Sequence, residues 1–179
     1  MNKTLMNITL LKNLYEIDLN DIIKNKNTII GLDIGDKTIG VSVSDRRIKI
    51  ASSVLLISRT KINNDCAKLY ENIVMYNPKI IIFGWPLQMN GVPSKQCEKN
   101  FEFIKAFHSY ITTTSTLPQK NWEFAKWDER FSTKVVDNIM IEADLSRKRR
   151  KEIIDKTAAV YILQGALDFL NRNQIKQET

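Results

Sequence analysis

The string TIIGLDIGDKTIGVSVSD, residues 28–45, carries an aspartate where apolar and small residues otherwise prevail. Asp33 stands inside a strand-like alternation, with Gly31 and Gly35 two positions to either side. A carboxylate taken out of water without a partner is costly, so this position calls for a cation or a chemical role. Two further acidic positions stand out. Asp128 and Glu129 close an apolar run in WDER, and Asp155 is followed at helical spacing by Ala158, Ala159, Ile162 and Ala166. Small residues one turn beyond an aspartate let a helix sit tightly on a sheet face that is itself small, which brings Asp155 towards Asp33. Carboxylates gathered in one place repel, and their pKa values rise unless a cation neutralises them. A hard divalent ion, Mg²⁺ or Mn²⁺, suits an all-oxygen set drawn from Asp33, Asp128, Glu129 and Asp155. Such ions bind and polarise phosphates and activate water for in-line attack. Each acid also has a structural role open to it. Asp155 can favour a helix dipole or pair with Lys151 or Lys156, and Asp128 or Glu129 can pair with Arg130 or Lys126.

The elements that must hold these groups follow from periodicity. Ile30, Leu32 and Ile34 share one face of a first strand, and Ile29, Gly31, Asp33 and Gly35 share the other. After the turn GDKT, Ile39, Val41 and Val43 oppose Gly40, Ser42 and Ser44, which reads as a β-hairpin. IASSVLLIS extends it as a third strand. Residues 62–76 have helical spacing, PKIIIFGWP is a buried strand, residues 94–111 form a second helix, and NWEFAKWDER is the fifth strand. STKVVDNIMIEA reads as a helix that Ser132 or Thr133 caps, and EIIDKTAAVYILQGALDFLN as the last helix. A meander followed by helix and strand in alternation predicts a mixed α/β domain, antiparallel at its start and parallel thereafter. Residues 1–27 are expected to add a short amphipathic helical extension, residues 28–172 the domain, and residues 173–179 a tail.

The 179 residues carry 27 Lys and Arg against 20 Asp and Glu, a net charge of +7, which is compatible with a polyanionic partner. The run SRKRRK, with Arg147, Arg149 and Arg150, is a candidate phosphate clamp, as are Lys37 and Arg130. Cys66 and Cys97 are isolated and His108 is the sole histidine, so neither a disulfide framework nor a zinc site is indicated. No apolar run approaches the ~20 residues that a membrane span needs, and the polar residues of the first 23 positions interrupt any signal-peptide core. A reduced, cytoplasmic setting is expected. Trp85 is a packing residue or a stacking platform for a base.

Four segments, IIGLDIGDKTIGVSVSD, IIFGWPLQMNG, WDERFST and LSRKRRKEIIDKTAAVYILQGALD, together resemble the bacterial YqgF-like family. Its members are Holliday-junction-resolvase-like proteins assigned as pre-16S rRNA nucleases. The resemblance covers residues 28–170. It implies an RNase H-like fold, a five-stranded mixed sheet with strands 1–3 antiparallel and helices on both faces. It also implies a metal-dependent phosphodiesterase centre whose acidic positions fall on Asp33, Glu129 with neighbouring Asp128, and Asp155. Three departures are visible, the first being that residues 1–27 precede the point where most members of that family begin. Trp85 stands where the family has a smaller apolar residue, and Gly84 and Trp85 occupy the strand end where related resolvases carry an acid.

The expected function is a Mg²⁺- or Mn²⁺-dependent endonuclease acting on structured RNA, an rRNA precursor or an assembly intermediate of the ribosome, as a monomer or weak homodimer. Two alternatives stay open: a resolvase acting on branched DNA, and a non-catalytic RNA-binding assembly factor. An actin-like ATPase or sugar kinase, suggested by GLDIGDKTIG, needs two such domains where 179 residues supply one.

Overall fold

The computed structural model describes residues 10–114, 121–128 and 147–177, the last helix by its backbone alone at 147–156 and 175–177. Five strands form one sheet: β1 (Thr28–Ile34), β2 (Thr38–Ser44), β3 (Ala51–Ser58), β4 (Pro78–Trp85) and β5 (Glu123–Asp128). They lie in the order β3-β2-β1-β4-β5. The pairs β1–β2 and β2–β3 are antiparallel, while β1–β4 and β4–β5 are parallel. This is the five-stranded mixed sheet, with its first three strands antiparallel, that the resemblance implies. Among the described residues the α-helices are α1 (Leu19–Lys24), α2 (Ile62–Ile73), α3 (Lys95–Thr113) and α4 (Arg147–Gln177).

The central strands bury two faces against different partners. Ile30, Leu32, Ile34, Ile39 and Val41 join Ile81, Phe83, Phe124 and the apolar side chains of α2 and α3 in one core. Ile29, Ile80, Ile82, Ala125 and Trp127 join Ile162, Leu163, Ala166, Leu167 and Leu170 of α4 in the other. The alternation of branched and small residues in β1 and β2 thus selects which helices cover which face. His108 belongs to α3, with its ring edge-on to Phe124 at 5.9 Å. Both cysteines are free and buried.

From residue 10 onward the N-terminal segment is only briefly helical. Asn13 accepts from the Tyr15 amide, and Asp18 caps α1 through the amides of Asn20 and Asp21. Such short side chains compete with helical hydrogen bonding and break the segment into a 3-10 turn at Leu14–Glu16 and one short helix. The segment closes part of the β5 edge. The Lys12 amide donates to the Phe124 carbonyl at 2.7 Å, and Lys12 pairs with Glu123 at 2.9 Å. Leu19 and Ile22 enter the α4 core. At the other terminus α4 runs to Gln177, beyond residue 172. The helix expected in STKVVDNIMIEA lies outside the described residues. Among the described residues no helix is long and apolar enough to cross a membrane.

Candidate active site

Asp33 is half-buried in β1, paired with Gly40 of β2, and the next pair on the same face is Gly31 with Ser42. α4 lies directly on these small residues. The Ser42 hydroxyl donates to the Ala159 carbonyl at 2.7 Å, a sheet-to-helix bond that only close approach permits. A Cβ placed on Gly31 would overlap Ser42 Oγ and stand 2.6 Å from Leu163 Cβ and 3.1 Å from the Ala159 carbonyl oxygen. A Cβ on Gly40 would meet Ala159 Cβ at 3.2 Å. The glycines therefore seat the helix.

That contact also gives the direction of α4. Ala159 lies over Gly40 and Gly31, Leu163 over Gly31, and Gln164 bonds the Ala51 amide and the Lys49 carbonyl. Moving along α4 leads away from the C-terminal end of β1, so the helix runs antiparallel to that strand. The turn before Ala159, which includes Asp155, lies at the Asp33 end. The first turn, with Arg147, Arg149 and Arg150, lies further in that direction. The side chains of Asp155 and of these arginines fall outside the described ones, and so do Glu129 and Arg130.

Asp128 ends β5 opposite Trp85, and its neighbour Trp127 pairs with Gly84. Trp127 belongs to the α4 face and Trp85 to the α2–α3 face, so alternation assigns Asp128 to the face opposite Asp33. Lys37 is exposed in the turn that follows Asp33, and its carbonyl accepts from the Arg59 amide at 2.9 Å. Trp85 is a packing residue. It is 3% exposed, edge-to-face with Phe83, and covered by the Lys126 ammonium 5.0 Å from its ring centre.

Several residues that hold this end of the sheet were not singled out by the sequence. Gln96 of α3 donates to the Ile34 carbonyl and to Asn100 Oδ1, both at 2.9 Å, and Asn100 donates to the Gly84 carbonyl at 2.8 Å. One helix thereby ties the ends of β1 and β4 together. Arg59 donates to the Gly35 carbonyl at 3.1 Å while its Nε contacts Asp65 at 3.2 Å, and its guanidinium lies over the Phe103 ring. Asp65 is fully buried and also accepts from the Thr60 amide and hydroxyl. The backbone that follows Asp33 is thus fixed from the α2–α3 face. A signal for Asn100 exists in the sequence, since it falls on the apolar stripe of Cys97, Phe101, Ile104 and Ile111.

The charges near the site are set by local partners. Lys99, through a hydrogen bond at 2.7 Å and its charge, holds the exposed Asp36 carboxyl below the usual range. Burial pushes the Cys66 thiol up to about 11; neighbouring Asp65 adds to the rise and Arg59 opposes it. Among the described residues no three His, Cys, Asp or Glu converge on one point. The chemistry of the donor set nevertheless fits a hard cation. Asp33 offers an anionic oxygen among neighbours without bulk, and Cys66 and Cys97 lie in the core on the opposite face.

A family model described as "RuvX: Holliday junction resolvase" matches residues 27–169. A protein of Rhodospirillum centenum named "Putative pre-16S rRNA nuclease" is 37% identical over 162 residues, 90% of this chain and 83% of its own length. Proteins of the same name from Phenylobacterium zucineum and Clostridium botulinum strain Hall are 39% and 40% identical, over 86% and 80% of this chain. The solved structure of T. thermophilus RuvC in complex with a Holliday junction substrate aligns over 79% of this chain and 93% of its own, with a TM-score of 0.47 and 12% identity. With most of its length matched by that family model, and with relatives of this identity, the chain belongs to the RuvX family.

Proposed function

We propose that this protein is a divalent-metal-dependent endonuclease that hydrolyses phosphodiester bonds of structured RNA in the cytoplasm, processing the 5′ end of pre-16S rRNA during ribosome biogenesis. One observation carries the reading. Asp33 sits at the C-terminal end of the central strand, on the face where α4 is seated so closely that the turn bearing Asp155 lies at the same end. Ligands of open sheets with parallel strands gather at that end. The name borne by relatives at 37–40% identity supports the substrate.

In this reading Asp33, Glu129 and Asp155 hold Mg²⁺ or Mn²⁺. Asp128 is the less favoured ligand, because strand alternation assigns it to the other face. The ion, when bound, polarises the scissile phosphate and supplies a more acidic water. The chain does the rest. The Gln96–Asn100 tie and the Arg59–Gly35 bond keep Asp33 from shifting as charge accumulates. Lys37, Arg130, Arg147, Arg149 and Arg150 hold the flanking phosphates.

The test is Asp33→Asn. Loss of a residue that merely orients a metal ligand costs about 10–100-fold, so loss of a direct ligand is expected to cost at least about 100-fold in Mg²⁺-dependent cleavage, with RNA binding and melting temperature retained. Full cleavage by the variant overturns the assignment. Tight RNA binding with no cleavage by the wild type in Mg²⁺ or Mn²⁺ favours a binding factor instead. The family description favours one second reading, a resolvase of branched DNA. Side-by-side cleavage of a four-way DNA junction and an rRNA precursor separates the two.

A further inference from the structure

A groove of about 1010 Å³ opens beside β5, between the N-terminal segment and α4, and Asp128 at the end of β5 lines it. Its wall is a run of aromatic rings. Phe169 stands edge-to-face with Tyr15 at 5.0 Å and with Trp127 at 5.8 Å. The Trp127 indole lies against Gly165, where a Cβ would come within 3.0 Å of the ring. α4 thus backs the indole, which lines the groove. Tyr15 is 64% exposed, so its ring is available to a ligand. Lys126 and Arg172 are exposed cations of the same groove. Of its two carboxylates, Asp168 accepts from Gln164, and Asp128 stands at the end nearest the sheet terminus. The Asn173 side chain also lines it, with an amide nitrogen that is buried and has no hydrogen-bond partner.

Rings backed by a rigid helix, flanked by cations and an amide without a partner, are the parts that hold an unpaired nucleotide. The base stacks on an aromatic face, and the phosphates meet Lys and Arg. Lys126, Trp127 and Phe169 lie within residues 27–169, the span matched by the family model, whereas Tyr15, Arg172 and Asn173 lie outside it, so the groove is completed by residues beyond the matched span. We propose that it binds an unpaired segment of the RNA substrate adjoining the cleavage site, with a base stacked at Tyr15 and its flanking phosphates met by Lys126 and Arg172. The proposal rests on the RNA-processing reading above and adds to it a preference for substrates with a single-stranded tail.

The experiment compares two fluorescein-labelled RNA hairpins, one blunt and one carrying an unpaired tail, titrated with the full chain in EDTA so that binding is read without cleavage. One stacked base is worth roughly a 5- to 100-fold gain in affinity, and a gain in that range is expected for the tailed hairpin. The tailed-to-blunt ratio is expected to fall to about one in Tyr15→Ala and to drop in Arg172→Ala. Both residues are exposed, and circular dichroism confirms that each variant folds. A ratio near one in the wild type, or a ratio unchanged in both variants, overturns the groove assignment. Cleavage of the same hairpins in Mg²⁺ keeps the two claims distinct. A chain that cleaves both RNAs and gains nothing from the tail loses only the groove, while one that neither binds nor cleaves them loses the nuclease reading too.

Discussion

The seating of α4 on glycine is best probed by Gly31→Ala, because one methyl group tests both the packing and the placement of Asp155. An added Cβ would stand 2.6 Å from Leu163 Cβ, which is fixed to the helix backbone and cannot swing aside. Reaching ordinary contact at 3.4 Å requires α4 to retreat by about 0.8 Å. Overpacking of this kind costs about 1–3 kcal/mol. The retreat also stretches the 2.7 Å bond from Ser42 to the Ala159 carbonyl, which keeps its donor within α4, so the loss is that of one ordinary hydrogen bond, about 0.5–1.5 kcal/mol. Restricting the unfolded chain returns about 0.4–1 kcal/mol. The expected net loss is about 0.5–4 kcal/mol, centred near 2 kcal/mol, where the melting temperature falls by about 4–8 °C for a chain of this size.

Gly40→Ala supplies the internal comparison. Its Cβ would meet Ala159 Cβ at 3.2 Å, a contact relieved by a few tenths of an ångström, and a loss of about 1 kcal/mol is expected. Thermal melts followed by circular dichroism, with urea titration for the free energies, measure both. A Gly31→Ala protein that melts within about 2 °C of the wild type, or above Gly40→Ala, refutes the seating of the helix on these glycines. Because the retreating helix carries Asp155, cleavage at saturating RNA is expected to fall while affinity for RNA persists.

Three other perturbations follow from the same contacts. Asp65→Ala leaves the Arg59 guanidinium without its carboxylate and the Thr60 amide without an acceptor; the expected loss in urea unfolding is about 3 kcal/mol, the low end for a broken buried pair because 22% of the Arg59 side chain still meets solvent. Neither Cys66 nor Cys97 is expected to react with a thiol reagent at pH 8 until the chain unfolds, since both are buried and the Cys66 thiol is pushed up to about 11. With that pKa raised above an unfolded value of about 8.5, the contribution of Cys66 to stability is complete below pH ~8.5 and lost as pH climbs towards 11. Burial pushes Asp45 up, but amide donation from Ile50, Lys49 and Arg47 outweighs it and leaves the carboxyl below its ordinary range. Asp45→Asn is therefore expected to destabilise the fold above an unfolded pKa of about 3.9, with the gap to the wild type closing as pH falls below it; an unchanged gap down to pH 2 contradicts this.

The strands are legible because β1 and β2 place branched residues on one face and small ones on the other, so alternation alone reads both partners. Asp33 is legible for the opposite reason: it breaks the pattern. The supports of Asp33 are not. Gln96, Asn100 and Arg59 bond main-chain carbonyls of Ile34, Gly84 and Gly35, and only tertiary structure decides which carbonyls a side chain meets. The N-terminal segment reads as a helix by composition, but Leu11 meets Phe124 as a bridge on the β5 edge, a pairing between residues far apart in the chain. The start of α4 is understated in the sequence because Arg and Lys oppose the dipole of a helix N-terminus, whereas their intrinsic helix propensity is high and extends the helix to Arg147.

The glycines around Asp33 then divide in their work. From the sequence they clear one continuous space for metal, phosphate and helix. In the fold, Gly31 and Gly40 give their space to α4, whereas a Cβ on Gly35 would meet only Thr38 atoms. A carboxylate one pair deeper, at Gly31, would lie beneath Ala159 and Leu163 with no route to solvent. One placed at Gly35 would lie in the turn, beyond the paired strand. Asp33 is the position on that face that is held by the sheet, adjoins the last contact of the helix and still keeps an open side, and it is half-buried for that reason. A half-buried acid retains part of its hydration and depends less on a counter-ion to stay charged. The wild-type fold is therefore expected to tolerate removal of divalent metal by EDTA with a melting temperature within a few degrees of the Mg²⁺-loaded protein. A large metal-dependent rise would instead mean that Asp33 and its partners are fully desolvated without the ion, and would move the open side of the site elsewhere.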